Sequence, residues 1–89
     1  MTYIELDKVA DELYSFMSDN KLHADVYTGH DDYIAVEINW GDWKHEHLRC
    51  KWLASEFFKV KGRRVVIQTE VTEEDGTDCY SAIHRIYLR

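Results

Sequence analysis

Residues 64–87 read RVVIQTEVTEEDGTDCYSAIHRIY and contain the pattern that decides the fold. The Asp75-Gly76 pair near the centre is a strong hairpin signal, because both residues tolerate the backbone angles of the tight turns that join antiparallel strands. Apolar and polar residues alternate on either side of this pair, as in strands with one buried face. Counting outward from the turn predicts a hairpin in which Val71 pairs with Tyr80.

The rest of the chain predicts another hairpin and two helices, with one helix before each hairpin. Apolar residues recur at helical spacing from about Tyr3 to Asp19 and again from about Asp42 to about Lys59. Gly62 predicts the C-terminal end of the second helix. Between the helices, two alternating segments flank the polar turn 29–32, which predicts a first hairpin. The sequence therefore predicts an α+β fold, in which the whole chain, 1–89, is a single domain. Two helix-plus-β-hairpin units (αββαββ) form a four-stranded sheet with both helices on one face.

Charge is distributed unevenly along this acidic chain. The formal net charge of the 89 residues is −6. Residues 1–43 contain ten acidic and two basic residues, whereas residues 44–89 contain seven acidic and nine basic residues. Nucleic acid binding is disfavoured, because phosphate contacts need a basic surface. A basic protein partner is favoured, since opposite charge accelerates encounter.

The sequence shows no membrane span and no leader peptide. No apolar run approaches the roughly 20 residues of a transmembrane helix, and the first residues, MTYIE, lack a basic flank and an apolar core. We therefore expect a cytoplasmic protein with no membrane association and with both cysteines, Cys50 and Cys79, reduced.

One candidate contact surface lies on the second helix. At about 100° per residue, Leu48 and Trp52 fall opposite the apolar face and side by side, four residues apart. The predicted inner face consists of Trp43, His47, Cys50, Leu53, Ala54 and Phe57. An exposed tryptophan beside a leucine is typical of an interface anchor. Alternatively, a loop or a terminus covers this pair, or the helix is rotated.

A second candidate surface is the outer face of the sheet, where alternation places Tyr27, Tyr33 and Tyr87 near Arg64 and Arg85. Such a face suits a protein contact or a homodimer, and it also resembles the stacking faces of RNA-binding sheets. Tyrosine is equally common in half-exposed strands that bind nothing.

The tip of the second hairpin is a third candidate, since Glu73, Glu74 and Asp75 form an acidic run there. This run could dock on a basic protein or could be a solvated turn.

Catalytic and metal chemistry was sought among the histidines and cysteines. His45 and His47 point to different sides of a helix, whereas His47, Cys50 and His84 could converge in the core. The interpretation we favour is a core cysteine with hydrogen-bonded histidines, and neither cysteine has an evident activating base. We therefore expect no catalytic site, no metal and no cofactor.

These features favour a non-enzymatic protein-binding module, such as a small acidic inhibitor of a basic nucleic-acid-handling protein. A small, acidic chain with exposed aromatic residues is similar in character, without any shared motif, to phage and mobile-element inhibitors of host defence. The alternatives are a structural homodimer or, less favoured, a small metal-binding or nucleic-acid-binding domain.

Overall fold

The computed structural model describes residues 3–29, 32–38, 43–73 and 80–89 and confirms the α+β class. The elements follow in the predicted order: helix α1 (Tyr3–Asp19), strands β1 (Asp25–Gly29) and β2 (Tyr33–Ile38), helix α2 (Trp43–Val60), and strands β3 (Val65–Glu73) and β4 (Tyr80–Leu88). The four strands form one sheet in the order β1-β2-β4-β3, and every neighbouring pair is antiparallel.

Both helices end in the same hydrogen-bonded motif. In α1, the amides of Lys21 and Leu22 donate to the carbonyls of Ser18 and Met17, at 2.9 and 3.0 Å. This Schellman motif requires a left-handed residue, and Lys21 supplies it with φ 61°.

At the end of α2, Gly62 fills the left-handed position with φ 70°. Its amide donates to the carbonyl of Lys59, and the amide of Arg63 donates to the carbonyl of Phe58. The predicted helix end at Gly62 is thus confirmed, while α1 reaches the same geometry without a glycine, where a side chain costs about 1 kcal/mol.

The second hairpin is confirmed, but its predicted register is wrong by two residues. Val71 pairs with Ala82 instead of Tyr80, and the strand pairing ends at Glu73 and Tyr80. Side chains alternate with a period of two, so a shift by two leaves each one on its predicted face. The error therefore changes which residues pair across the two strands, but the face on which each side chain lies is as predicted.

The core lies between the helices and one face of the sheet. Side chains from both helices and from β2 and β4 form one buried cluster, whereas the outward-facing residues of the strands mostly retain contact with solvent. Both helices therefore pack on the same face of the sheet. The cluster contains Leu6, Ala10, Leu13, Met17, Leu22, Ile34, Val36, Ile38, Cys50, Leu53, Ala54, Phe57, Phe58, Ala82 and Ile86.

The helices divide the sheet between them. Helix α1 contacts β1 and β2, whereas α2 contacts β2, β4 and β3. The two edges of the sheet differ in length, because β1 has five residues and β3 has nine.

Candidate interaction surface

Leu48 and Trp52 form an exposed apolar pair on α2, as the helical periodicity predicted. Each side chain is 61% exposed. No residue in the described part of the chain covers either of them to the extent expected of a core residue. We refer to Leu48 and Trp52 together as the α2 ridge.

Contacts with α1 fix the rotation of α2. The rings of Phe57 and Phe16 lie 5.4 Å apart, and the guanidinium of Arg49 donates a 2.6 Å hydrogen bond to the carbonyl of Asn20. Leu48 is nine residues from Phe57, which places it about 180° around the helix. The ridge is therefore turned away from the sheet and from α1.

The buried face of α2 is wider than the sequence pattern indicated. Phe58 is fully buried and packs edge-on against Phe57, with ring centroids 5.0 Å apart. The prediction included Phe57 and omitted Phe58. The adjacent pair of phenylalanines was the available signal, because two consecutive large aromatic residues seldom both face solvent.

The two helices carry opposite formal charge. Helix α1 contains five acidic residues and one basic residue, giving −4, whereas α2 contains four basic and two acidic residues, giving +2. Lys61, just after α2, contacts the carboxylate of Glu12 at 2.5 Å and lowers the pKa of that carboxyl group through the hydrogen bond and through its charge. The helical layer is thus acidic along α1 and basic along α2.

The outer face of the sheet is occupied by contacts within the protein. The hydroxyl of Tyr27 donates a 3.0 Å hydrogen bond to Glu37, and the rings of Tyr33 and Tyr87 lie 5.4 Å apart. Burial, together with the bond to Glu37, raises the pKa of Tyr27. Tyr33 and Tyr87 are half-buried, whereas the side chain of Tyr27 is 41% exposed.

Arg85 is also engaged on this face. Its guanidinium donates a 2.9 Å hydrogen bond to Glu70 and lies 6.0 Å from the ring centroid of Tyr33. A methyl group on Gly29 would approach Tyr33 to 2.3 Å, so this ring packs directly over the glycine. Arg64 is exposed. The structure brings Tyr27, Tyr33, Tyr87 and Arg85 onto one surface, but most of their polar groups already have partners.

A buried histidine links β4, β3 and α2. The His84 ring is fully buried, with Nε2 2.9 Å from the carbonyl oxygen of His47 and Nδ1 2.9 Å from the hydroxyl of Thr69. A carbonyl oxygen can only accept, so Nε2 carries the proton and Nδ1 accepts from Thr69. Both ring nitrogens of neutral His84 are therefore satisfied.

The expected convergence of His47, Cys50 and His84 is partial. The rings of His47 and His84 stack with centroids 5.7 Å apart, and Cys50 is buried as a free thiol. Within residues 3–29, 32–38, 43–73 and 80–89, no group of three or more His, Cys, Asp or Glu side chains is placed to hold a metal ion. Cys79 lies outside the described residues.

Burial favours the uncharged forms of His84 and Cys50 and shifts their pKa values accordingly. Burial, with smaller contributions from the charges of His47 and Lys51, lowers the pKa of His84 to about 4, against the favourable hydrogen bond to His47. Burial, together with the nearby Glu46, raises the pKa of Cys50 to about 12. A thiol that stays protonated is a poor nucleophile and a poor metal ligand.

The described residues line three shallow surface hollows. One, of about 240 Å³, is lined by polar groups that include Tyr14, His23 and Asp25, and it is smaller than a typical ligand pocket. A second, of about 310 Å³, contains the ion pair of Glu12 and Lys61. The third, of about 630 Å³, is an open depression on the outer sheet face.

Most of the acidic hairpin tip lies outside the described part of the chain. Glu73 is the last residue of β3, and Glu74 and Asp75 lie outside the described residues.

Neither helix, over the described residues, combines the length and apolar character needed to cross a bilayer.

Comparison of the chain with protein-family models, with curated proteins and with solved structures finds no match. The function proposed below therefore follows from the geometry of the surfaces.

Proposed function

We propose that this chain is a non-enzymatic protein-binding module whose contact surface is the solvent side of the helical layer. The observation that carries the proposal is the α2 ridge, in which Leu48 and Trp52 are both 61% exposed on a helix whose opposite face is fully packed. Tryptophan is the residue most enriched among the energetic centres of protein interfaces.

The preferred partner is a basic protein. Asp7 and Asp11 lie exposed on the flank of α1 that faces away from α2, and opposite charge accelerates association. A basic surface of the partner would meet these carboxylates, while the ridge, on a helix with a formal charge of +2, would meet an apolar part of the same partner. Inhibition of a basic nucleic-acid-handling protein, in the manner of phage and mobile-element inhibitors of host defence, is the form of activity that we propose.

The buried chemistry supports a binding role over a catalytic one. The Cys50 thiol is held protonated by burial, and the two ring nitrogens of His84 already have partners. These groups stabilise the fold, and their arrangement leaves no nucleophile or base directed at a surface hollow.

The experiment is a pull-down from the lysate of the native host, with nuclease treatment and high salt, followed by affinity measurement on the purified partner. Trp52→Ala is expected to weaken binding by about 2 kcal/mol, or about 30-fold, because a fully desolvated indole is lost. Val60→Ala is the matched control, since Val60 is an exposed apolar residue at the end of the same helix. Equal binding by folded Trp52→Ala and Val60→Ala proteins would refute the ridge as the anchor.

The partner's charge is tested separately. Asp11→Lys should slow association with a basic partner and reduce the dependence of the rate on salt. Asp25→Lys is the control, because it makes the same charge change in an exposed residue of β1 whose side lies away from the helices. A rate that is unchanged by Asp11→Lys, or lowered equally by both variants, would contradict steering by α1.

A further inference from the structure

The second half of the sheet ends in a long open edge. Strand β3 pairs with β4 on one side over all nine residues, Val65–Glu73, without a bulge, and its other side is the edge of the sheet. In the described part of the chain, β4 and α2 are the elements that contact β3. Its outward N–H and C=O groups therefore form a row that is available for another strand.

This edge lacks most of the features that usually prevent strand addition. Proteins protect edges with short strands, charged side chains (above all lysine), proline or bulges. The chain has no proline, and β3 contains no lysine and is rich in β-branched residues. The carboxylate of Glu70 accepts a hydrogen bond from Arg85 of the neighbouring strand β4. The opposite edge is different, because β1 has only five residues.

Apolar side chains accompany the open backbone. On the helix side of β3, Val65 and Ile67 are only partly covered and Val71 is 45% exposed. A strand added beside β3 would bury these side chains further while pairing its backbone groups.

The charge pattern of β3 identifies the strand that fits. Basic residues, Arg63 and Arg64, precede the strand, while acidic residues, Glu70 and Glu73, occupy its second half. An antiparallel copy of the same segment brings the basic end of one strand to the acidic end of the other. A parallel copy would instead place like charges together, which is unfavourable.

We propose that a second copy of this chain pairs with the first through antiparallel β3–β3 contact, forming a continuous eight-stranded sheet. In the register centred on Gln68, each Val65 faces Val71 of the copy on the helix side, and each Arg63 faces Glu73. A two-fold axis beside Gln68 makes the contact self-complementary and closed.

The dimer would place the two α2 helices next to each other. Helix α2 is the helix that contacts β3, and Leu48 lies on the flank that is turned away from α1. The two α2 ridges then form one bivalent surface, which would raise the avidity for a symmetric partner. The β3 contact itself does not depend on the proposed function of the ridge.

The test is the mass of the purified protein, measured by light scattering and by sedimentation over a concentration series. The expected mass is twice the 10.6 kDa of the monomer. Val71→Lys should give the monomer mass, because a lysine on the helix side of an edge strand blocks pairing. The same change at exposed Val60, on α2, should leave the dimer intact.

A disulfide trap tests the register without relying on Val71→Lys. In a Cys79→Ser chain, Gln68→Cys should form an intermolecular disulfide, since directly opposed Cβ atoms in antiparallel strands lie about 4.5–5.5 Å apart. Glu37→Cys, on the inner strand β2, should not.

Each outcome decides the matter. A wild-type mass of 10.6 kDa at every concentration, without a disulfide from Gln68→Cys, would overturn the proposal. So would a dimer that persists in Val71→Lys but dissociates in Trp52→Ala, because the ridge would then be the self-contact. Loss of partner binding in a Trp52→Ala protein that remains dimeric would leave the β3 contact standing.

Discussion

The two helix-and-hairpin halves of this protein have the same plan and different surfaces. Each helix ends in the same hydrogen-bonded motif, and each packs over its own hairpin on the same face of the sheet. The first half closes with the five-residue edge strand β1, whereas the second half ends with the nine-residue open edge of β3. The exposed ridge of Leu48 and Trp52 also belongs to the second half.

The interiors differ as well. In the central pair of strands, Val36 of the first half lies directly opposite His84 of the second. The side chain of Val36 has no polar atom, whereas the two ring nitrogens of His84 form hydrogen bonds with Thr69 and with the backbone of His47. A shared helix-and-strand pattern thus specifies a common framework, while individual residues in the second half give it a polar core contact and an exposed apolar ridge.

The largest difference between the halves should be a loss of stability at low pH that comes from His84, which lies in the second half. The pKa of His84 is about 4 in the folded protein and 6.5 as its ordinary value. Between these values the unfolded chain binds more protons, so the stabilising contribution is complete above pH about 6.5 and is lost as the pH falls to about 4. The loss is about 3 kcal/mol in the free energy of unfolding, measured by urea unfolding across this range.

A neutral replacement isolates that contribution from the carboxylates, which also titrate in acid. His84→Gln should flatten the dependence of stability on pH between about 6.5 and about 4. In the wild-type protein, the NMR titration of the His84 ring should have a midpoint near 4, well below its ordinary value of 6.5. An ordinary midpoint for His84 would show that its burial does not oppose protonation.

The hydrogen bond that supports His84 should have a smaller effect. Thr69→Val keeps the shape of the side chain but leaves Nδ1 of His84 without its donor, so we expect a loss of about 1–2 kcal/mol in unfolding free energy. Thr72→Val, on the exposed outer face of the same strand, should change stability by less than about 0.5 kcal/mol. Equal effects at positions 69 and 72 would mean that the change reflects β-propensity instead of the histidine contact.

The helix ends should give the smallest effects, with opposite signs in the two halves. Lys21→Gly should stabilise the first half by up to about 1 kcal/mol, because glycine adopts positive φ without strain. Gly62→Ala should destabilise the second half by about 1 kcal/mol. A methyl group there has no atom within 4 Å, so the cost is conformational and not steric. Thermal unfolding of both variants measures the difference, and the same sign for both would contradict it.

Patterns with a short range predicted most of the framework. Helical spacing located α1 from Tyr3 to Asp19, and Gly62 marked the end of α2, because both signals depend on residues a few positions apart. The hairpin register was two residues out, since the prediction centred the turn on the Asp75-Gly76 pair, whereas the observed pairs are centred one residue later. Turn propensity alone does not fix the register of a hairpin.

The candidate surface was predicted in part. Leu48 and Trp52 were recognised because an apolar pair on the polar side of a helix departs from its periodicity. The tyrosines of the outer face were recognised by alternation, but their engagement was not, because Glu37 reaches Tyr27 and Arg85 reaches Tyr33 from neighbouring strands. The open edge of β3 was not predicted, since strand order cannot be read from local pattern.

The sequence by itself determined the elements, the face of the sheet on which each strand residue lies and the position of Leu48 and Trp52 opposite the core face of α2, because periodicity and turn chemistry act over a few residues. Whether that pair is exposed or covered was decided by the tertiary structure. The tertiary structure decided the order β1-β2-β4-β3, the burial of His84 between Thr69 and His47, and the position of β3 at the edge. These features depend on contacts between residues far apart in the chain. Such contacts are selected by how two helices and four strands together bury their apolar faces, and no single segment encodes that outcome.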